Sequence, residues 1–244
     1  MPRADTFTSW SNSRLRDYLL CPFKAKLKHL LKLKEPQNDA MSRGDRIHKL
    51  AEAWIRGQID GDLPEELSKF PDLFAYLRAR FAKRSIMTVV EDSWAYTKDW
   101  QPTTWDDWTG AWLRIKIDAA WEPEDDPGVL VVNDWKTGKF RDSEAVEYEE
   151  QLSLYALGAL LQPAYTHIHT VRAMLSYLDL GLTYPSKPAD VKRLVFKRSD
   201  LPKLKKAWER RVTPMFADRT FDPTPNRYCG WCHFRKANGG PCRY

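Results

Sequence analysis

No stretch of this sequence stays apolar for the roughly 20 residues that a membrane-spanning helix requires. The opening segment, MPRADTFTSWSNSRLRDY, has neither an apolar signal core nor a small-residue cleavage site. Both absences make a cytoplasmic location the expectation and argue against a membrane partner. Internal repeats, low-complexity tracts and helicase motifs are also missing, so a stand-alone protein is expected rather than a fragment of a motor. Cysteine is scarce, with four in the whole chain. That count excludes a disulfide-dense scaffold, and in a reducing compartment it points to metal ligands or plain core thiols.

What is present is bulk, aromatics and positive charge. The 244 residues are 43% hydrophobic, enough for one compact α/β domain with at most a small appendage. There are 11 tryptophans, which fill cores but also stack on bases and sugars. The formal net charge is +6, an excess that favours polyanionic partners through counterion release.

Along the chain, Leu15, Tyr18, Leu19, Phe23, Leu27, Leu30 and Leu31 recur at helical spacing and predict a helix over 11–33, capped by Ser11 or Ser13. Lys24, Lys26, Lys28, Lys32 and Lys34 surround it, either as a solvated face or as phosphate contacts. A loop follows at 36–39, then helices over about 43–57 and 71–84. Strands are predicted at 87–97, 111–121 and 128–136, the last two joined through the PEDDPG turn. A helix at 143–161, strands at 166–178, 181–186 and 191–197, and a basic helix at about 200–217 complete the pattern. The organisation expected is one domain over 1–244, with a helical part (1–86), an α/β core (87–198) and a basic helix with a Cys-containing tail (199–244).

The chemistry concentrates at two strands. In AWLRIKIDAAW, strict alternation puts Leu113, Ile115, Ile117 and Ala119 on one face and Asp118 on the other with Arg114 and Lys116. In GVLVVNDWKTGK the first half is continuously apolar, as in a central strand buried on both sides. Asp134 and Lys136 then share a face and Trp135 points away. Two carboxylates on neighbouring strands can hold Mg²⁺ or Mn²⁺. The bound cation activates water, and a lysine beside it orients that water or stabilises developing charge. The plain alternative is an ion pair of Asp134 with Lys136 or Lys139. The carbonyl of Trp135 is a further candidate ligand. On the next helix Gln151 and Tyr155 are four apart and share a face. Upstream, His48 and Glu52 share a helix face. The imidazole can complete a metal shell, with Glu52 as a weaker alternative acid.

The cysteines are Cys21, Cys229, Cys232 and Cys242, that is C-x₂-C, nine residues, then C, plus one remote partner. Such spacing suits a four-thiolate site, iron–sulfur or Zn²⁺, that staples a glycine- and proline-rich tail to the start of the chain. His233 could replace one thiolate in a zinc site, or Cys21 could be a plain buried residue beside Pro22.

The order His48, Asp118, Asp134-Trp135-Lys136, Gln151-x-x-x-Tyr155 resembles the PD-(D/E)XK nuclease superfamily. Within it, the chain looks like the RecB-type nuclease domains, including CRISPR-associated, AddB-like and phage exonucleases. SNSRLRDYLLCPFKAKLKHLLKL is similar to that group's opening helix with its Cys-Pro. The resemblance spans about 11–242, and Asp134 stands where the motif more often has Glu. It implies a restriction-endonuclease-like α/β core with a central mixed sheet flanked by helices. It also implies metal on His48, Asp118 and Asp134, catalysis by Lys136, and support and DNA contact from Gln151 and Tyr155. A 4Fe-4S cluster on the four cysteines is implied too. The implied activity is exonucleolytic, on single- or double-stranded DNA with ends. The implied setting is recombination, repair or phage replication (host cytoplasm, if phage-encoded), with a recombinase or single-strand-binding protein as a partner. Readings to be set against it are a structure-specific endonuclease, a catalytically silent DNA-binding module with a metal-stapled tail, and a small-molecule hydrolase using the two acids.

Overall fold

The helix expected over 11–33 divides at Cys21 in the computed structural model, which describes residues 6–36, 39–83 and 88–244. Pro22 is the cause. A residue before proline is driven out of the α region, and Cys21 is extended, at φ −163° and ψ 108°. Helix α1 is therefore Asn12–Leu20, capped by the Ser11 side chain on the Arg14 N–H, and α2 is Pro22–Ala25, running into a π-helical turn at Lys26–Leu30. The break leaves the Leu20 carbonyl free to accept from Asn226 Nδ2 at 3.0 Å, which ties the tail to it.

The remaining helices are α3 Asp39–Ile55, α4 Pro71–Ala82, α5 Ala145–Leu161, α6 Pro188–Arg193 and α7 Leu201–Ala217. The strands are β1 Thr88–Tyr96, β2 Pro102–Thr103, β3 Leu113–Trp121, β4 Val129–Lys136, β5 Thr170–Tyr177, β6 Leu182–Tyr184 and β7 Val195–Lys197. The expected strand over 191–197 is thus half helix. Pro188 opens α6 at its first turn, where its missing N–H is harmless, and Asp190 favours that end of the helix dipole. The centre of the expected 36–39 loop, the last residue of the 71–84 helix, the first of the 87–97 strand and the expected 86/87 boundary lie outside the described residues.

Among the described residues the strands form one mixed seven-stranded sheet in the order β2-β1-β3-β4-β5, with β6 and β7 sharing the far edge of β5. Among the described residues, β4 and β5 are the only parallel strand pair, joined by α5 as the crossover. As expected for a central strand, β4 is buried along seven of its eight residues. Its Leu130 and Val132 face one apolar cluster with α1, α5 and α7, and Val131 and Trp135 face another with α3 and α4. Burying both faces by about 25 cal/mol per Å² of apolar surface is what holds the sheet between its helices.

Glycine sets the closest approaches. A Cβ on Gly158 would stand 2.7 Å from Ile115 Cδ1, so α5 lies directly on β3. The Gly158 carbonyl also accepts from Tyr96 Oη at 2.6 Å. On the other face Gly44 lets α3 come within reach of Thr137, just beyond β4. Among the described residues no helix is long and apolar enough to cross a membrane.

Candidate active site

β3 and β4 pair only at Ala119–Asn133, Ala120–Val132 and Trp121–Val131, and then diverge. Divergence strips backbone amides of their ladder partners, and a buried N–H needs an acceptor. Asp118 supplies it, its Oδ2 accepting from the Trp135 N–H at 2.6 Å. The carboxylate therefore sits inside the fork between the two strands.

Strict alternation fails at this point. Ile117 packs in the α5 cluster, but Ala119 packs with Trp121 in the α3 cluster, contrary to the expected common face. β1 breaks at the same level. Val90 pairs with Ala119 and Asp92 with Ile117, and between them Glu91 has a left-handed φ of 48°. A non-glycine residue there stores roughly 1–3 kcal/mol of strain, and such strain concentrates at functional sites. The kink turns the Glu91 side chain toward His48 on α3. His48 Nδ1 lies 3.4 Å from Glu91 Oε1 and 3.3 Å from Asp118 Oδ1. Ligand atoms of His48, Glu91 and Asp118 all lie within 4.8 Å of one another, and no other such group exists among the described residues.

Asp134, only 4% exposed, is held from the α5 side. Its Oδ1 accepts from Gln151 Nε2 at 3.0 Å and Tyr155 Oη at 2.9 Å, and its Oδ2 faces Lys136 Nζ at 2.6 Å. Lys136 also donates to Gln151 Oε1 at 3.2 Å. Trp135 points away, edge-on to Phe74 at 4.7 Å.

The electrostatics bind the two halves into one site. Burial, then the charge of Asp134, raises the Asp118 carboxyl to about 6. Burial alone would lower His48, but hydrogen bonding to Asp118 and Glu91 carries it up to about 11. Burial and the nearby Asp134 and Asp118 charges push the Tyr155 phenol far above its usual value, so it serves as a hydrogen-bond donor.

The structure thus gathers His48, Asp118, Asp134, Lys136, Gln151 and Tyr155 at one fork. Glu52 is elsewhere, paired with Arg56 at 2.9 Å. Glu91 was not singled out from the sequence. Its one signal was an acid interrupting the apolar start of a strand, and strict alternation misreads its face once the strand kinks. The group of one imidazole nitrogen and two carboxylates, from His48, Glu91 and Asp118, suits Mn²⁺ or Mg²⁺. The buried Asp134 Oδ2, which meets only Lys136, fits a cation as well.

The sequence profile of the PD-(D/E)XK nuclease superfamily matches residues 9–237. The chain belongs to the PD-(D/E)XK nuclease superfamily. No curated protein matches it. Membership in this superfamily implies metal-dependent nuclease activity with DNA as substrate, and the mixed α/β sheet is of the kind such nucleases carry.

The four cysteines also converge in this PD-(D/E)XK chain. Cys21, Cys229, Cys232 and Cys242 line one cavity of about 260 Å³ with apolar Phe23, Leu27 and Phe234. The nine-residue gap folds back on itself, and the Cys242 N–H donates to the Phe234 carbonyl at 2.9 Å. A Cβ on Gly240 would strike that same carbonyl at 2.2 Å. His233 is not in the cavity wall. The four half-buried thiols line this one cavity, and no three of their sulfurs lie within 4.8 Å of one another, wider than a single Zn²⁺ with Zn–S bonds of about 2.3 Å would draw them.

Proposed function

We propose that the chain is an exonuclease of the RecB-like group that hydrolyses DNA from its ends, in recombination, repair or phage replication, with residues 1–244 acting as one nuclease unit. The observation that carries the catalytic reading is the fork itself, with Asp118 on β3 facing Asp134 and Lys136 on β4. His48, Asp118, Asp134 and Glu91 would hold Mg²⁺ or Mn²⁺, with the Trp135 carbonyl as a further ligand. When bound, the cation supplies Lewis-acid activation of water and of the scissile phosphodiester. Gln151 and Tyr155 fix the Asp134 carboxylate by hydrogen bonds, and Gln151 fixes Lys136. Lys136 holds the attacking water and offsets the negative charge that develops on the phosphate. Water attacks phosphorus, the bond to the leaving nucleoside oxygen breaks, and that oxygen takes up a proton.

The exonuclease assignment is supported by resemblance to RecB-type domains in the opening helix and the one-plus-three cysteines. The same arrangement supports a 4Fe-4S cluster on Cys21, Cys229, Cys232 and Cys242. Zn²⁺ is the competing occupant, which absorption near about 400 nm would argue against.

The test is incubation of linear and circular DNA with Mg²⁺ or Mn²⁺, and with EDTA. Linear DNA should be degraded only with metal, and Lys136→Ala should lower the rate by about 10²–10³-fold or more. Nicking of circular DNA would replace the exonuclease with an endonuclease. Binding without cutting under every cation would leave a DNA-binding module.

A further inference from the structure

Eight of the 11 tryptophans are buried, but Trp108 is 74% exposed. Its loop is nonetheless firmly built. Asp107 accepts from the Gly110 N–H at 2.7 Å and from the Thr103 and Thr109 hydroxyls at 2.8 and 3.2 Å. Arg114, 9% exposed, braces the loop from β3 by donating to the carbonyls of Trp105 at 3.1 Å and Asp107 at 3.0 Å. Its guanidinium lies 4.8 Å from the Trp108 ring centre and 5.9 Å from that of Trp105. A large apolar ring is thus held out in solvent on a rigid mount, with a cation behind it.

The cations around it lack counter-charges. The Arg14 guanidinium donates only to Ser9, to its hydroxyl at 2.7 Å and its carbonyl at 3.3 Å. Arg114 donates only to carbonyls. Among the described residues neither they nor Lys32 meet a carboxylate, whereas Arg16, Arg43 and Arg193 are all ion-paired. Arg14, Lys32, Arg114 and Trp108 line one cavity of about 290 Å³. Burial first, and then the Arg114 charge, holds Arg14 below its ordinary value, as expected of like charges gathered without an anion. Arg114 also lines the adjoining cavity of about 520 Å³, whose walls include Lys116, Lys136, Gln151 and Tyr155. The two cavities share Arg114, so the Trp108 cavity lies beside the one that Lys136 lines, whose wall also includes Asp17.

We propose that Trp108, Arg14, Arg114 and Lys32 form a subsite for one unpaired nucleotide of the DNA strand being cut, the base stacked on Trp108 and a phosphate on the three cations. A base can offer its face to a side chain only when it is out of the duplex stack. The subsite therefore selects a single-stranded segment next to the scissile bond. The inference rests on the nuclease reading of the fork.

The test uses the full chain in EDTA, so that no cleavage enters the readout. Fluorescence anisotropy compares a labelled oligothymidylate with a blunt DNA hairpin. Trp108→Ala should weaken oligothymidylate binding about 10-fold, the worth of one stacked base, with Trp108→Phe intermediate and the hairpin little affected. An unchanged thermal midpoint checks the fold of these surface variants. Wild-type affinity in Trp108→Ala, or an equal loss on both DNAs, overturns the subsite. Failure of the nuclease reading is seen separately, as absence of Mn²⁺-dependent bis(p-nitrophenyl) phosphate hydrolysis by the wild-type protein.

Discussion

Glu91 has a left-handed backbone, and its carboxylate lies in the candidate ligand group with His48 and Asp118. Glu91→Gln keeps the shape and removes the charge. We expect it to weaken Mn²⁺ binding by about tenfold or more, read by titration calorimetry. Unaltered affinity would remove Glu91 from the ligand set. His48 carries a second consequence. With its pKa raised to about 11, the ring is protonated at neutral pH, and that proton occupies the place a cation would take. Cation and proton compete, so affinity should rise with pH. About one proton should be released per cation at pH 7. Calorimetry in two buffers of different ionisation enthalpy measures this, and no buffer dependence would refute it. His48 was legible from its helix position. Its acidic neighbour was not, because the nearer Glu52 is one helical turn from Arg56 and pairs there.

At the scale of elements, α5 brings Gln151 and Tyr155 to Asp134, and Gly158 sets how closely the helix lies on β3. A leucine at position 158 would collide with Ile115 and Trp94. Gly158→Leu should cost about 1–3 kcal/mol in a denaturant titration and depress activity by moving Gln151. Full stability with full activity would mean that the helix is not so constrained. The lysines around the first helix show how the two sequence readings divide in space. Lys24 and Lys28 are consumed by Asp17 and Glu35, at 2.9 to 3.9 Å, whereas Lys32 borders the Trp108 cavity without a counter-ion. The period of a helix tells which side chains share a face. It does not tell which of them the rest of the chain will neutralise.

Across the whole molecule, the two ends of the chain are joined. Tyr18 Oη donates to Asp218 Oδ2 at 3.0 Å, Asn226 bonds the Leu20 carbonyl, and Phe221 packs on Phe7 with ring centres 5.8 Å apart. Cysteines from both ends then line one cavity. Cys232→Ser should therefore abolish any brown colour and leave the tail beyond Phe221 more sensitive to protease, with the sheet intact by circular dichroism. A tail equally resistant in the variant would mean that these hydrogen bonds and ring contacts alone hold it.

Local rules in the sequence were sufficient for several features. Period two put Asp134 and Lys136 on one face, helical spacing joined Gln151 to Tyr155, and an unbroken apolar run made β4 central. Proline chemistry explains why the first helix stops at Cys21, although periodicity alone ran through it. Tertiary structure decided the rest. The fork that needs Asp118 as an acceptor, the kink that delivers Glu91, and the meeting of Arg14, Arg114 and Trp108 all arise between segments far apart in the chain. Their cause is backbone amides left without ladder partners and charges left without counter-ions, which appear only once the strands and helices are packed.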